Sequence, residues 1–208
     1  MAYDITGCSS RTRYNWRMHA SQPRAAIAFG LFIGLMAGCA GHSSTNPAES
    51  LDERTGMTVG SLHKPIELVR SVEFSATPGK RQSFAYLGPV EWDNMGNLRY
   101  GLWIHLAPGN DWRFDDIRNP RAVTLTLDDG ALVLSAIDAP TLAHGPYQPV
   151  ASWGQTAYFD LNVPMLQRMA SSAKIELDFK AGRDPAVRFT ADPDAREALK
   201  RYLHARGY

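Results

Sequence analysis

"TLTLDDGALVLSA", residues 124–136, places Leu125 and Leu127 between threonines, turns at Asp129-Gly130, and alternates again through Leu132 and Leu134. Side chains two apart on an extended chain share a face, so each run has one apolar side and one polar side. An Asp-Gly pair between two such runs is a strong local signal for a β-hairpin, because the turn needs residues that tolerate positive φ. The stretch therefore predicts antiparallel sheet with one buried face.

The same reading extends outward on both sides. "LRYGLWIHLA" (98–107) is a buried strand, "WDNMGN" (92–97) the turn before it, and "FAYLGPVEW" (84–92) its partner. "KIELDF" (174–179) points Ile175, Leu177 and Phe179 inward and returns through the Gly182/Pro185 loop into "AVRFT" (186–190). Two helices follow from capping and periodicity. "NVPMLQRMASSA" (162–173) carries Pro164 in its first turn, where its missing N–H costs nothing. Near the end Asp192 is a good N-cap and Pro193 a good first helical residue, with Leu199, Tyr202 and Leu203 along one stripe. These elements predict an α+β fold: a mainly antiparallel, β sandwich-like domain over residues 51–208, with a short helix and a C-terminal helix.

The 208-residue chain is 44% hydrophobic and 21% charged, an ordinary globular composition. Its formal charge of +1 is carried by the first residues, where Arg11, Arg13, Arg17 and Arg24 face only Asp4. The remainder is slightly acidic, which gives no electrostatic footing for nucleic acid. The two cysteines are Cys8 and Cys39. If residues 1–38 are removed no pair remains, so the fold does not depend on an internal disulfide.

Behind Arg24 runs an apolar stretch, Ala25–Leu35, of the length of a signal-peptide core and too short to span a bilayer. Met36-Ala37-Gly38 then leads to Cys39. This arrangement resembles the lipobox of bacterial lipoproteins, with Met36 where leucine is usual. The resemblance implies cleavage after Gly38, palmitate-type acylation of Cys39 and, from Ala40, sorting to the outer membrane. Ordinary cleavage beyond Cys39 and an uncleaved anchor are the alternatives. The segment before Arg24 is long for a leader, and a start at Met18 gives one of ordinary length. Residues 40–50, "AGHSSTNPAES", are small and polar and read as a flexible tether reaching at most about 40 Å, with His42 solvated.

The domain carries no nucleophile elbow, zinc-protease motif or phosphate loop, and no metal or cofactor is expected. Its histidines, His63, His105, His144 and His204, are not spaced for chelation. His105, inside an apolar strand, reads as a satisfied or partly exposed strand histidine ahead of a catalytic one. Asp128-Asp129 belongs to the hairpin turn. Asp115-Asp116, between Arg113 and Arg118, reads as a surface ion cluster, and "DNMGN" (93–97) as a turn, not a calcium loop. The aromatic side chains Trp92, Trp103, Trp112, Trp153 and Tyr147 read mainly as core, with Trp112 and Trp153 the candidate ligand platform.

"LDERTGMTVGSLHKPIELVR" (51–70) resembles the opening of a group of uncharacterised proteobacterial outer-membrane lipoproteins. In that group Asp-Glu-x-Thr-Gly follows the tether and leads into a first strand. Here the motif is Asp52-Glu53-Arg54-Thr55-Gly56, and Thr58-Val59 opens the strand. The resemblance implies a location and no activity. The sequence therefore predicts a non-enzymatic lipoprotein on the periplasmic face of the outer membrane, acting through contacts with envelope proteins. A peptidoglycan- or glycan-binding module using Trp112 and Trp153 comes second. An enzyme working around His105 and Asp116 comes third.

Overall fold

The computed structural model describes residues 46–73, 80–107, 121–179 and 187–208. Ten strands and two helices follow in order: β1 (Pro47–Leu51), β2 (Thr58–Leu62), β3 (Ile66–Glu73), β4 (Lys80–Asn94), β5 (Asn97–Ala107), β6 (Ala122–Leu127), β7 (Gly130–Ile137), β8 (Gln155–Asp160), α1 (Val163–Ser171), β9 (Ile175–Phe179), β10 (Val187–Ala191) and α2 (Ala195–Ala205). Cys39 and Gly38, Met18, His42, Trp112, Asp115-Asp116 and the Gly182/Pro185 loop lie outside the described residues.

Every pairing is antiparallel. The ring runs β3-β4-β5-β8-β7-β6-β9-β10 and returns to β3, where Thr190 faces Val69 and Ala191 faces Leu68. Eight strands thus close on themselves as a barrel, not the expected sandwich-like α+β domain. Strand alternation is the same in both architectures, since each strand hides one face in either case. What separates them is backbone pairing at the closing seams, which leaves no mark on the side-chain pattern.

The inward face follows from register. Leu68 faces Ala85, Leu87 faces Ile104, and Leu102 faces Phe159; across the ring Leu125 faces both Leu132 and Leu177, and Leu177 faces Phe189. All are buried. An eight-strand ring is about wide enough for such side chains to fill it. The hairpins expected at 124–136 and 84–107 form, β9 pairs with β10 as expected, and Ile175, Leu177 and Phe179 face inward as the alternation required.

Both helices pack together at the barrel end that holds the β6–β7 turn. In α1 the Asn162 side chain accepts from the Met165 N–H at 2.9 Å, and Pro164 sits in the first turn. The Ser172 hydroxyl accepts from the Asp128 N–H at 2.9 Å, and Asp128 accepts from the Ala173 N–H at 2.6 Å, stitching the turn to the helix end. Helix α2 begins two residues later than its capping residue suggested. Asp192 accepts from the Asp194 N–H at 2.9 Å within the preceding turn, and Asp194 takes the cap position without a side-chain bond. Its stripe Leu199, Tyr202 and Leu203 is buried as expected. No helix among the described residues is long and apolar enough to cross a membrane.

Residues 47–50, expected as part of the tether, belong to β1, which pairs with β2 from Pro47–Leu62 to Leu51–Thr58. Small polar side chains gave no alternation to detect. The strand is held by its ladder and by Arg206 beyond α2, which donates to Glu49 Oε2 at 2.5 Å and to the Ala48 carbonyl at 3.0 Å. Burial raises the pKa of neighbouring Glu91, and Arg206, 3.7 Å away, opposes that rise.

The Asp-Glu-x-Thr-Gly motif has a structural cause. Asp52 accepts from the Thr55 N–H at 2.9 Å and the Thr55 hydroxyl at 2.7 Å, closing the β1–β2 turn. Its other oxygen accepts from the Ala143 N–H at 2.6 Å, and Arg54 donates to the Thr141 carbonyl. Gly56 completes the turn at φ +69°. The motif therefore clips the turn to the long connection between β7 and β8.

Candidate functional site

That connection, residues 138–154, covers the outer face of β4 and β5, and the covered surface is aromatic. Tyr86, Gly88, Trp103 and His105 lie on the face opposite the barrel interior, with Tyr86 facing His105 and Gly88 facing Trp103 across the ladder. Tyr147 reaches in from the connection. Its ring lies 4.9 Å from Trp103 between centroids and directly on Gly88, where an added Cβ would come within 2.3 Å of it.

The Tyr147 hydroxyl completes a broken ladder. Pro89 cannot donate, and β4 changes partner from β3 to β2 near this point. The hydroxyl fills the gap, accepting from the Leu62 N–H at 2.9 Å and donating to the Pro89 carbonyl at 2.8 Å. Burial pushes its pKa far up, so it remains a neutral phenol. Tyr147 thus fastens the connection to β2 and β4 together.

His105 is 1% exposed. Its ring stacks at 14° on Trp103, and Nδ1 lies 2.9 Å from Thr156 Oγ1, its cross-strand partner in β8. Gly154 is packed on its Nε2, so closely that a Cβ there would lie 2.2 Å away. Burial lowers the imidazole pKa, with the Ala151 carbonyl partly opposing. The ring is accordingly a neutral, enclosed member of the aromatic layer, not a partly exposed strand histidine.

Beside this layer is an open groove of about 710 Å³ between the start of β3 and residues 145–150. Lys64, Glu67 and Gln148 bring charge and amide groups, Tyr86 and Val150 bring ring and aliphatic surface, and Pro65, Pro146 and Pro149 stiffen the walls. His63, exposed, stands at the same groove. Partial burial, and next the Glu67 charge, raise the Tyr86 pKa, so this wall presents a neutral hydroxyl. Such a mixed, preformed surface can take a ligand that offers both polar groups and apolar area.

The sequence-nominated residues divide clearly. Trp92, Trp103 and Tyr147 are buried, as the core reading expected. Trp153 is 63% exposed on the connection, three residues after the exposed Val150 of the groove. The structure therefore brings Trp153 to the surface near the end of a pinned loop. The groove itself went unnoticed in the sequence, because its residues come from three separated stretches. The Pro-rich run "GPYQP" (145–149) was the one local hint. Among the described residues no group of three or more His, Cys, Asp or Glu side chains is arranged to hold a metal ion. No family model matches this chain, and neither the curated proteins nor the solved structures contain a match.

Proposed function

We propose that the protein is a lipoprotein attached through Cys39 to the periplasmic face of the outer membrane, its barrel a non-catalytic module that recognises another envelope protein. The apolar run ending at Cys39 supports the anchor. The recognition reading rests on one observation: Val150 and Trp153 are exposed on a connection whose neighbouring residue Tyr147 is buried and bonded to two strands. An aromatic side chain offered to solvent from a fixed loop loses little entropy on binding, which suits a contact anchor. A photo-crosslinking residue at Gln148 in living cells should give a discrete adduct that Trp153→Ala removes and that a probe at Ser135 on β7 does not give. Identical patterns from both positions would refute the assignment.

The exposed indole also favours a second reading, a glycan strand of peptidoglycan stacking on Trp153. Purified protein would then sediment with cell-wall sacculi, and Trp153→Ala would leave it in the supernatant. The anchor is tested separately, by palmitate labelling and membrane fractionation of wild type and Cys39→Ala. Label and outer-membrane banding should both disappear in the variant.

A further inference from the structure

The β4–β5 ribbon projects past β8, and its tip exposes Met95 and Leu98 among the polar side chains of Asp93, Asn94 and Asn97. Strand β8 leaves β5 at Gly101, so residues 97–100 continue beyond it by roughly 14 Å. At the turn Met95 is 96% exposed and adopts φ +52°, with Gly96 at φ +89°. Two-residue turns of this kind favour asparagine, aspartate or glycine at both positions. A methionine there is strained, and among the described residues it is almost wholly exposed.

Register sets two leucines near it, at the ends of a row whose middle positions are Thr58 and Asp93. Leu51 faces Thr58, Thr58 faces Asp93 and Asp93 faces Leu98, a single row on one face. Leu51 is 66% exposed and Leu98 47%. Tyr208, 44% exposed, stands over Tyr100, two residues along that face from Leu98. Isolated exposed apolar side chains are ordinary, but here most of those among the described residues gather at one projecting end.

We infer that this tip is a foot that dips into the interfacial layer of a phospholipid bilayer. A convex ribbon end with an unbranched side chain at its apex suits a fluid layer, which can close around it. Chain length supports the same occupant, and this part rests on the anchoring reading above. Residues 40–46 reach at most about 25 Å, and β1 covers roughly 14 Å from Pro47 to the tip row. A lipid on Cys39 therefore leaves just enough chain for the foot to touch the membrane that holds it.

The test uses the full chain in phospholipid vesicles, with an environment-sensitive dye on Asn97→Cys or, as control, on Val133→Cys of β7. Brominated acyl chains should quench the dye at position 97 roughly twofold more than at position 133, given an apolar face about 5–10 Å deep. Met95→Asn with Leu98→Asn should bring quenching down to the control while palmitate labelling persists. Equal quenching at 97 and 133 overturns the proposal. Shielding of position 97 from aqueous iodide without quenching by brominated lipid also overturns it, and assigns the tip to a protein, a second copy included. If wild type takes up no palmitate the anchoring reading fails by itself. The foot is then judged on the unacylated chain with the same vesicles, where quenching at 97 supports it and its absence overturns it.

Discussion

Single residues carry two stability predictions of opposite sign. Met95 occupies a left-handed conformation that costs an L-residue with a Cβ about 1–2 kcal/mol, most of which asparagine avoids. Met95→Asn should therefore stabilise the fold by about 1 kcal/mol, read as a raised urea midpoint at unchanged slope. A lowered midpoint would mean that the methionine packs on something within the chain. Asp52 works the other way. The Thr55 hydroxyl is the main influence that lowers its pKa from 3.8 to about 2, with burial opposing and the Ala143 and Thr55 N–H groups adding to the effect. Its folded-state pKa is depressed, so its stabilisation is complete above the unfolded value and is lost as pH falls through about 2. Wild type should lose stability between pH 4 and pH 2 more steeply than Asp52→Asn, as urea titrations across that range would reveal. The Asp-Glu-x-Thr-Gly motif is thus explained by turn geometry. Its partner at Ala143 was invisible, because nothing local connects residues 52 and 143.

Secondary-structure elements were legible where side chains alternate against a buried face and obscure where the backbone alone decides. The β6–β7 hairpin declares itself through Leu125, Leu127, Leu132 and Leu134, and α2 through its apolar stripe. β1 offers no such pattern and is secured from elsewhere, by β2 and Arg206. The sequence alone places the start of α2 two residues early, because Asp192 and Asp194 both carry capping side chains and only geometry shows that the first closes a turn. Amphipathic packing, not capping, should then dominate this helix. Leu199→Ala at its fully buried position should cost about 2–5 kcal/mol, whereas Asp194→Ala, with no side-chain cap bond to lose, should change the thermal midpoint little. Comparable losses in the two variants would contradict that ranking.

Across the whole molecule, the ring is two four-strand arcs, β3-β4-β5-β8 and β7-β6-β9-β10, joined at two short seams. One seam pairs Val69 with Thr190 and Leu68 with Ala191; the other pairs Ala136 with Phe159 and Ile137 with Tyr158. Antiparallel strands with one buried face read alike in a sandwich layer and in an arc of a closed ring, so the side-chain pattern does not distinguish the two. The groove was hidden for a related reason: Lys64, Tyr86 and Gln148 become neighbours only once β3, β4 and the β7–β8 connection have been assembled. Short seams should be the first places to open. Amide hydrogen exchange should be faster along both seams than along β4–β5, whose ladder runs from Phe84–Ala107 to Asn94–Asn97. Even protection around the ring would show that the barrel opens only as a unit.

The bridge from Arg206 to β1 also has a mechanical consequence. Any pull arriving through residue 46 enters the fold at β1, a strand whose ladder among the described residues is with β2 alone and whose second support is a guanidinium at residue 206. Load is thereby shared between the first strand and the last helix, two segments that the chain itself connects only through the entire barrel. In a single-molecule experiment drawn from residue 46, Arg206→Ala should lower the force of the first rupture and leave later ones unchanged. An unaltered first rupture would show that the β1–β2 ladder bears that load by itself.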